Sequence, residues 1–184
     1  MLNNIYLQGL SYTTFEQFPG IYATGDYRDE GSSRFICTYE DGQRHKEDLF
    51  DLLNRMHLGL LPHEWELHHI VEGRHFADID FKGNLQLMYD SELPCVLIHS
   101  NEHALYTRIA SIRATAELFL DREQSGTREN RSRQTQLAAA NVQKRNRLIQ
   151  RLDRLTKFYN GVYAGDEMMQ TIAFNVIKEA RKNI

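Results

Sequence analysis

Residues 65–69 read Trp-Glu-Leu-His-His, and residues 99–103 read His-Ser-Asn-Glu-His. Asn84 lies between these stretches, in a run that alternates between polar and apolar residues like a strand. His68 and His69 are adjacent, so on a strand their side chains point to opposite faces. The pattern therefore allows one histidine to bind a metal ion while its neighbour transfers a proton.

The second stretch predicts a metal-binding pair at the start of a helix. His99 and His103 are four residues apart, so on a helix they share one face and can hold one ion. His68, on a preceding strand, completes a set of three imidazoles. Imidazole ligands favour Zn²⁺, Ni²⁺ or Mn²⁺, whereas Mg²⁺ generally requires carboxylate oxygens. The predicted cofactor is one divalent metal ion: Zn, Ni, Mn or Mg.

This combination of residues resembles the HNH endonucleases, also called the ββα-metal or His-Me finger superfamily. It is most similar to the nuclease motifs of colicin-type and pyocin-type toxins. The likeness covers residues 65–106 and neither flank. It implies a hairpin of two strands followed by a helix, with one ion held between them.

The resemblance also implies a role for each residue of the motif. His69 would be the general base that activates water, and Asn84 would hold the two strands in register and orient His69. Glu66 would be an accessory acidic residue of the catalytic site. The metal ligands would be His68, His99 and His103.

Two features depart from the family pattern. The stretch between Asn84 and His99 is longer than in the bacteriocin enzymes. The arginine that those toxins usually place just ahead of the Glu-Leu-His-His segment has no counterpart near Pro62. The candidates to stabilise transition-state charge in its place are Arg74, Arg108 and Arg113.

A structural zinc site is the alternative interpretation of the same residues. Cys95 lies one helical turn before His99, so a helix would place both on one face. The zinc ligands would then be Cys95, His99, His103 and His68. In that case the chain would be a non-catalytic nucleic-acid-binding module. The Glu-Leu dipeptide before the paired histidines and the spacing of Asn84 favour the nuclease.

The flanks predict an α+β chain organised in three regions. Residues 1–60 form a β-rich N-terminal region with one helix, and residues 61–120 contain the ββα-metal (HNH) nuclease core. Residues 121–184 form a helical, basic C-terminal region.

Short β-branched and aromatic runs predict the strands, and 3.6-residue periodicity predicts the helices. The predicted strands cover residues 5–7, 21–24, 34–39, 68–71 and 84–89, with a hairpin turn at Asp41-Gly42. The predicted helices cover residues 46–58, a stretch from between Val96 and Ser100 through Phe119, and residues 134–159 and 167–182. Gly161 and Gly165 are expected to break the third helix, and Asp166 to cap the fourth.

Positive charge is concentrated directly after the histidine stretches, although the net charge of the chain is −3. Residues 1–103 carry 7 Lys+Arg and 17 Asp+Glu, residues 104–160 carry 12 and 5, and residues 161–184 carry 3 and 3. The three segments therefore have net charges of −10, +7 and 0. Such asymmetry indicates an electrostatic footprint for a phosphate backbone, and a solvated helix face is the simpler alternative.

A basic stripe runs along the third predicted helix. It consists of Arg147, Arg151 and Arg154, which follow i, i+4, i+7 spacing. We expect this stripe to contact DNA phosphates. No base-reading motif accompanies it, so the contacts predict little sequence specificity. The predicted nucleic-acid-binding residues are Arg74, Arg108, Arg147, Arg151 and Arg154.

These features predict a metal-dependent HNH endonuclease that hydrolyses phosphodiester bonds in DNA, with RNA left open. No apolar run approaches the ~20 residues of a membrane span, so no membrane partner is expected. Cys37 and Cys95 lie far apart, which favours a reduced, cytoplasmic chain.

The biological setting is open among a phage, restriction or defence enzyme and a bacterial toxin. A toxin would be secreted by a non-classical route and would have an immunity or delivery partner. A homodimer through the C-terminal helices would favour double-strand cuts.

Overall fold

A five-stranded antiparallel sheet and three long helices dominate the part of the chain that the computed structural model describes. That part comprises residues 2–24, 34–49, 51, 64–76, 92–117, 133–182 and 184. The predicted α+β class is confirmed.

The elements follow one another as short strands, then a strand pair, then helices. The strands are β1 (Tyr12–Thr14), β2 (Tyr22–Thr24), β3 (Arg34–Thr38), β4 (Trp65–His69) and β5 (Pro94–His99). The helices are α1 (Tyr39–Arg44), α2 (Ser100–Glu117), α3 (Arg133–Val162) and α4 (Glu167–Lys182). Two 3-10 helices cover Asn4–Leu7 and Gly73–Phe76.

The strand order in the sheet is β1-β2-β3-β5-β4, so β5 lies inside the sheet and β4 forms an edge. Residues Pro94 to Ile98 of β5 are all buried. Their continuous apolar sequence is typical of a strand that is covered on both faces. β4 carries the Trp-Glu-Leu-His-His sequence and pairs only with β5 among the described strands.

Alternation along β3 and β5 divides the apolar core between the two faces of the sheet. Ile36, Val96 and Ile98 pack with the helices, whereas Cys37 and Leu97 pack on the other face. The helical side also includes Leu7, Leu152, Leu155, Phe158, Met169, Ile172 and Val176. Its members come from all three regions that the sequence predicts, so one core joins them.

The long helices agree with the periodicity of the sequence. α2 begins at Ser100, inside the predicted window, and α4 has the predicted bounds. α3 continues to Val162, so the prediction that Gly161 breaks it is wrong, whereas the helix does end before Gly165, whose φ of +89° is left-handed. Gly161 leaves space for the Arg113 side chain of α2, because a Cβ atom at residue 161 would collide with the guanidinium group. No helix among the described residues is both long and apolar enough to cross a membrane.

Two local predictions in the N-terminal region are wrong because side chains cap short helices there. The predicted strand at residues 5–7 is a 3-10 helix, and the Asn3 side chain accepts a hydrogen bond from the backbone N–H of Ile5. The predicted turn at Asp41-Gly42 lies within α1. Thr38 caps that helix, since its hydroxyl accepts from the Asp41 N–H at 3.1 Å.

Two further predictions lie wholly or partly outside the described residues. The predicted strand at residues 84–89 is outside them, and the strand that pairs with β4 is β5. Of the predicted helix at residues 46–58, residues 46–49 and 51 are described and are helical.

Asp166 joins three elements at the start of α4. Its Oδ1 accepts from the Met169 N–H at 3.0 Å, which caps the helix. Its Oδ2 accepts from Arg34 of β3 at 2.9 Å and from the Tyr106 hydroxyl of α2 at 3.1 Å.

Replacing this carboxylate should therefore destabilise the fold through two separate effects. We expect Asp166→Ala to lower the free energy of unfolding by about 2–3 kcal/mol, since it removes the cap and leaves Arg34 with one carboxylate fewer. Asp166→Asn keeps a capping oxygen but loses the charge, so its loss should be intermediate. Urea unfolding measures both values, and an Ala variant as stable as the parent would contradict this role.

Candidate functional site

β4, β5 and α2 form two antiparallel strands followed directly by a helix. β4 pairs with β5, α2 begins at the residue after β5, and the helix packs on both strands. This packing brings His68 of β4 beside His103 of α2, with 5.0 Å between the ring centroids.

The register of β4 against β5 decides which histidines meet. Glu66 and His68 alternate with Trp65, Leu67 and His69, so the two sets point to opposite faces. Glu66 and His68 lie on the face that α2 covers, as their contacts with His103 show.

His99 lies on the other face of the sheet. It is the last residue of β5 and is paired with Trp65, and the two rings are 6.1 Å apart. Its Nε2 is 3.9 Å from a carboxylate oxygen of Glu64. The prediction that His99 and His103 share a helix face is wrong, because pairing with β4 extends through His99. The structure brings together two of the three predicted ligands, His68 and His103.

His68 is held by tyrosines that come from the two longest helices and their ends. Its Nε2 lies 2.9 Å from the hydroxyl of Tyr163, which donates a hydrogen bond to the carbonyl of Ile70 at 2.6 Å. The Tyr106 ring stacks on the imidazole, with 5.7 Å between centroids and 24° between planes. Burial lowers the pKa of His68 to about 3, and the nearby His103, His69 and Arg34 add to the effect. His68 is therefore neutral at physiological pH.

His103 is oriented by Glu66 across the strand–helix contact. The Nδ1 atom of His103 contacts a carboxylate oxygen of Glu66. This contact places Glu66 beside a predicted metal ligand rather than beside the predicted base. A carboxylate in this position fixes the orientation of an imidazole.

His69 lies at the edge of the sheet, next to an exposed tyrosine. Its ring stacks on Tyr39, the first residue of α1, with 5.4 Å between centroids and 13° between planes. Tyr39 is 41% exposed. A stacked aromatic partner limits the orientations that the His69 ring can adopt.

A cavity of about 370 Å³ opens at this edge of β4. It lies between the strand, the 3-10 helix at Gly73–Phe76, the first three turns of α2 and the end of α3, and its volume is in the range of small-ligand sites. The three histidines share its wall with an aromatic group from the helices. These lining residues are His68, His69, His103, Tyr106, Tyr159 and Tyr163.

An ion-pair network supports the tyrosine that stacks on His68. Arg34 donates to Glu102 of α2 and to Asp166, and the Tyr106 hydroxyl shares its single proton between the same two carboxylates. Burial and these carboxylates raise the pKa of Tyr106 well above its usual range. The phenol therefore stays protonated and keeps donating, which holds its ring in place.

The remaining predicted residues are distributed along the helices or lie outside the described residues. Asn84 is outside them, and Arg74 lies in the 3-10 helix with a side chain that is not described. Arg108 on α2 and Arg147 on α3 are exposed, and Arg151 and Arg154 are partly buried on α3.

The alternative zinc set is split between the two faces of the sheet. Cys95 and His99 lie on the face opposite His68 and His103. Within the described ranges, no group of three or more His, Cys, Asp or Glu side chains is arranged to hold a metal ion. The described residues thus bring together two of the imidazoles that the sequence predicts as ligands.

The sequence reasoning missed the tyrosines and Arg34. Tyr159 and Tyr163 are four residues apart, a spacing that places both on the same side as the helix ends. This spacing predicts that the two tyrosines lie close together. It does not predict that they contact His68, because no residue near them in the sequence indicates that contact.

Comparison of the chain with protein-family models, curated proteins and solved structures gave no match. What the site can do is therefore inferred from its residues and their geometry. Those residues are two neighbouring imidazoles, a third imidazole at the same cavity, and the tyrosines around them.

The low pKa of His68 predicts that metal-free protein loses stability in acid. Unfolded His68 takes up a proton below about pH 6.5, whereas folded His68 does so only near pH 3. Between these values the unfolded state binds more protons, so stability decreases as the pH falls. From pH 7.5 to pH 5 the contribution of His68 should be about 2 kcal/mol.

Urea unfolding in EDTA at the two pH values measures this loss. The His68→Gln variant cannot titrate at that position, so its loss should be smaller than that of the parent by about 2 kcal/mol. Equal losses in the two proteins would show that His68 is not held neutral by the fold.

Proposed function

We propose that the chain is a metal-dependent endonuclease of the HNH type, which hydrolyses phosphodiester bonds in DNA with little sequence specificity. The observation that supports this proposal is the placement of three imidazoles by the β4–β5–α2 unit. His68 and His103 are neighbours, and His69 reaches the same cavity from the other face of the strand.

The proposal includes the assignment of β4, β5 and α2 as a ββα-metal core. β4 would be the first strand, β5 the second, and α2 the helix that supplies a ligand. The order along the chain, the antiparallel pairing and the contact of the helix with both strands support it. This assignment replaces the predicted second strand at residues 84–89 with β5.

His68 and His103 would hold the divalent ion. His68 is neutral, and a neutral imidazole has the lone pair that a metal requires. When bound, the ion would neutralise charge on the phosphate and on the departing 3′ oxygen. His99 lies on the other face, so its role as a ligand stays a prediction from the resemblance.

His69 would accept the proton of the attacking water. The imidazole is a suitable base near neutral pH, and its stacking on Tyr39 restricts its orientation. The predicted role of Asn84 in orienting His69 also belongs to this proposal. Glu66 would act through His103 rather than on the water, because its carboxylate contacts that ring.

Basic side chains on α2 and α3 would hold the nucleic acid. Arg108 is exposed on α2 one residue after Thr107, which lines the cavity. α3 packs on α2 and carries exposed Lys144, Arg145 and Arg147. Contacts of this kind bind phosphates and read no bases, which agrees with low sequence specificity.

Loss of the base should abolish cleavage and spare metal binding. With supercoiled plasmid and Mg²⁺, Mn²⁺, Ni²⁺ or Zn²⁺, His69→Ala should nick at least 100-fold more slowly than the parent, in line with about 10²–10⁴-fold for a general base. Calorimetric titration should show an unchanged affinity for the ion. Cleavage that survives His69→Ala would refute the assigned base.

Histidine variants separate the two possible ligand sets. His68→Ala and His103→Ala should each lose the ion. For His99→Ala the resemblance predicts loss, whereas the sheet register predicts retention. If the parent protein binds an ion but cleaves DNA with none of the metals, the result would instead support the non-catalytic binding module.

The basic stripe on α3 should contribute to the salt dependence of DNA binding. Replacing Arg147, Arg151 and Arg154 with Gln should weaken binding at low salt and make the plot of log K against log[salt] shallower by about 2–3. A matched control replaces three exposed basic residues of α4, Lys178, Arg181 and Lys182, and should leave the slope unchanged. Fluorescence anisotropy with labelled duplex measures both, and equal slopes would place DNA elsewhere.

A further inference from the structure

The hydroxyl of Tyr163 determines which nitrogen of His68 carries hydrogen. A phenol has one proton, and Tyr163 donates it to the carbonyl of Ile70 at 2.6 Å. A carbonyl can only accept, so this direction is unambiguous. Toward His68 Nε2, at 2.9 Å, the hydroxyl must therefore accept. His68 carries its hydrogen on Nε2 and its lone pair on Nδ1.

Glu66 determines in the same way which nitrogen of His103 carries hydrogen. An ionised carboxylate only accepts hydrogen bonds, and Glu66 contacts Nδ1 of that ring. In the neutral ring of His103 the hydrogen is therefore on Nδ1 and the lone pair on Nε2. Within the part of the chain that the structure describes, neither lone pair has a hydrogen-bond partner.

The two rings thus have matching support. Histidines that bind metals almost always donate their other ring N–H to an acceptor, which fixes the tautomer and the ring orientation. Here one acceptor is a carboxylate on β4, and the other is a phenol whose proton is committed to a backbone carbonyl. The ring centroids are 5.0 Å apart, which is close enough for both imidazoles to reach one ion.

We propose that Tyr163 is a positioning residue that, together with Glu66, selects the tautomers in which His68 Nδ1 and His103 Nε2 face a divalent cation. The cation comes from the proposed function, whereas the tautomers follow from the hydrogen bonds alone. Tyr163 lies just after α3, outside residues 65–106, so the C-terminal region completes the site.

The surroundings of Tyr163 make it suited to this role. It is buried, and its ring packs against Tyr106 at 5.0 Å and Tyr159 at 5.9 Å between centroids. Burial raises the pKa of its hydroxyl well above the usual value, so the phenol stays protonated. Phenylalanine can keep this ring packing and removes only the hydroxyl.

The tautomer of His68 can be read directly in metal-free protein. Long-range ¹H–¹⁵N correlation spectra of ¹⁵N-labelled protein at pH 7.5 distinguish a protonated Nε2 from a protonated Nδ1. We expect the parent to show His68 protonated on Nε2. In Tyr163→Phe this preference should be lost, and the dissociation constant for Zn²⁺, measured by calorimetry, should rise about tenfold or more.

Tyr159→Phe is the matched control. The Tyr159 hydroxyl accepts from the Glu72 N–H and hydrogen-bonds His75 Nδ1. This variant removes a neighbouring buried phenol hydroxyl at the same cavity. We expect the His68 tautomer and the Zn²⁺ affinity to match those of the parent.

Three results would overturn the inference. They are His68 protonated on Nδ1 in the parent, an unchanged tautomer in folded Tyr163→Phe, and a parent that binds no Zn²⁺, Ni²⁺ or Mn²⁺. If Tyr163→Phe does not fold, the tautomer of the parent decides alone. If His68 is protonated on Nε2 and the parent binds Zn²⁺ but does not cleave plasmid, the inference holds and the proposed nuclease is rejected. If the parent cleaves plasmid but His68 is protonated on Nδ1, the nuclease holds and the inference is rejected.

Discussion

The antiparallel pairing of β4 with β5 is the constraint on which the candidate site depends. β5 is buried on both faces between β3 and β4, so a slip of one residue would exchange the side chains that fill the two close-packed cores. The register is therefore strongly specified, and β4 follows it. That register directs Glu66 and His68 toward α2 and directs His69 toward α1. Adjacent histidines thus acquire separate surroundings, one among tyrosines and one stacked on an exposed ring.

The environment of His68 shows how packing keeps an imidazole neutral. Tyr106 and Tyr163 enclose the imidazole, and this burial disfavours its charged form. The neutral form is the one that can bind a cation, so the apolar surroundings that lower the pKa also preserve the lone pair. Arg34 supports the same state twice. It disfavours a second positive charge nearby, and it holds the carboxylates that fix Tyr106.

Local periodicity was a reliable guide to the helices and a poor one to the capped segments. α4 has its predicted bounds because its apolar residues recur every three or four positions and Asp166 caps it. The strand predicted at residues 5–7 is a 3-10 helix, since the Asn3 side chain satisfies a backbone N–H that a strand would need to pair. Asp41-Gly42 looked like a hairpin turn, but Thr38 starts a helix there. In both places one side-chain hydrogen bond outweighed the residue composition.

The sequence by itself determined the inventory of the site: paired histidines at residues 68 and 69, a third at 103, and a basic segment after them. It also determined the strand–helix alternation, because periodicity is local information. Only the tertiary structure decided which of these groups meet. His99 lies on the far face because β5 pairs with β4 through its last residue, and the pairing register is a property of two segments together. Tyr163 reaches His68 across 95 residues of chain, a contact that depends on how α3 packs and that no local pattern encodes.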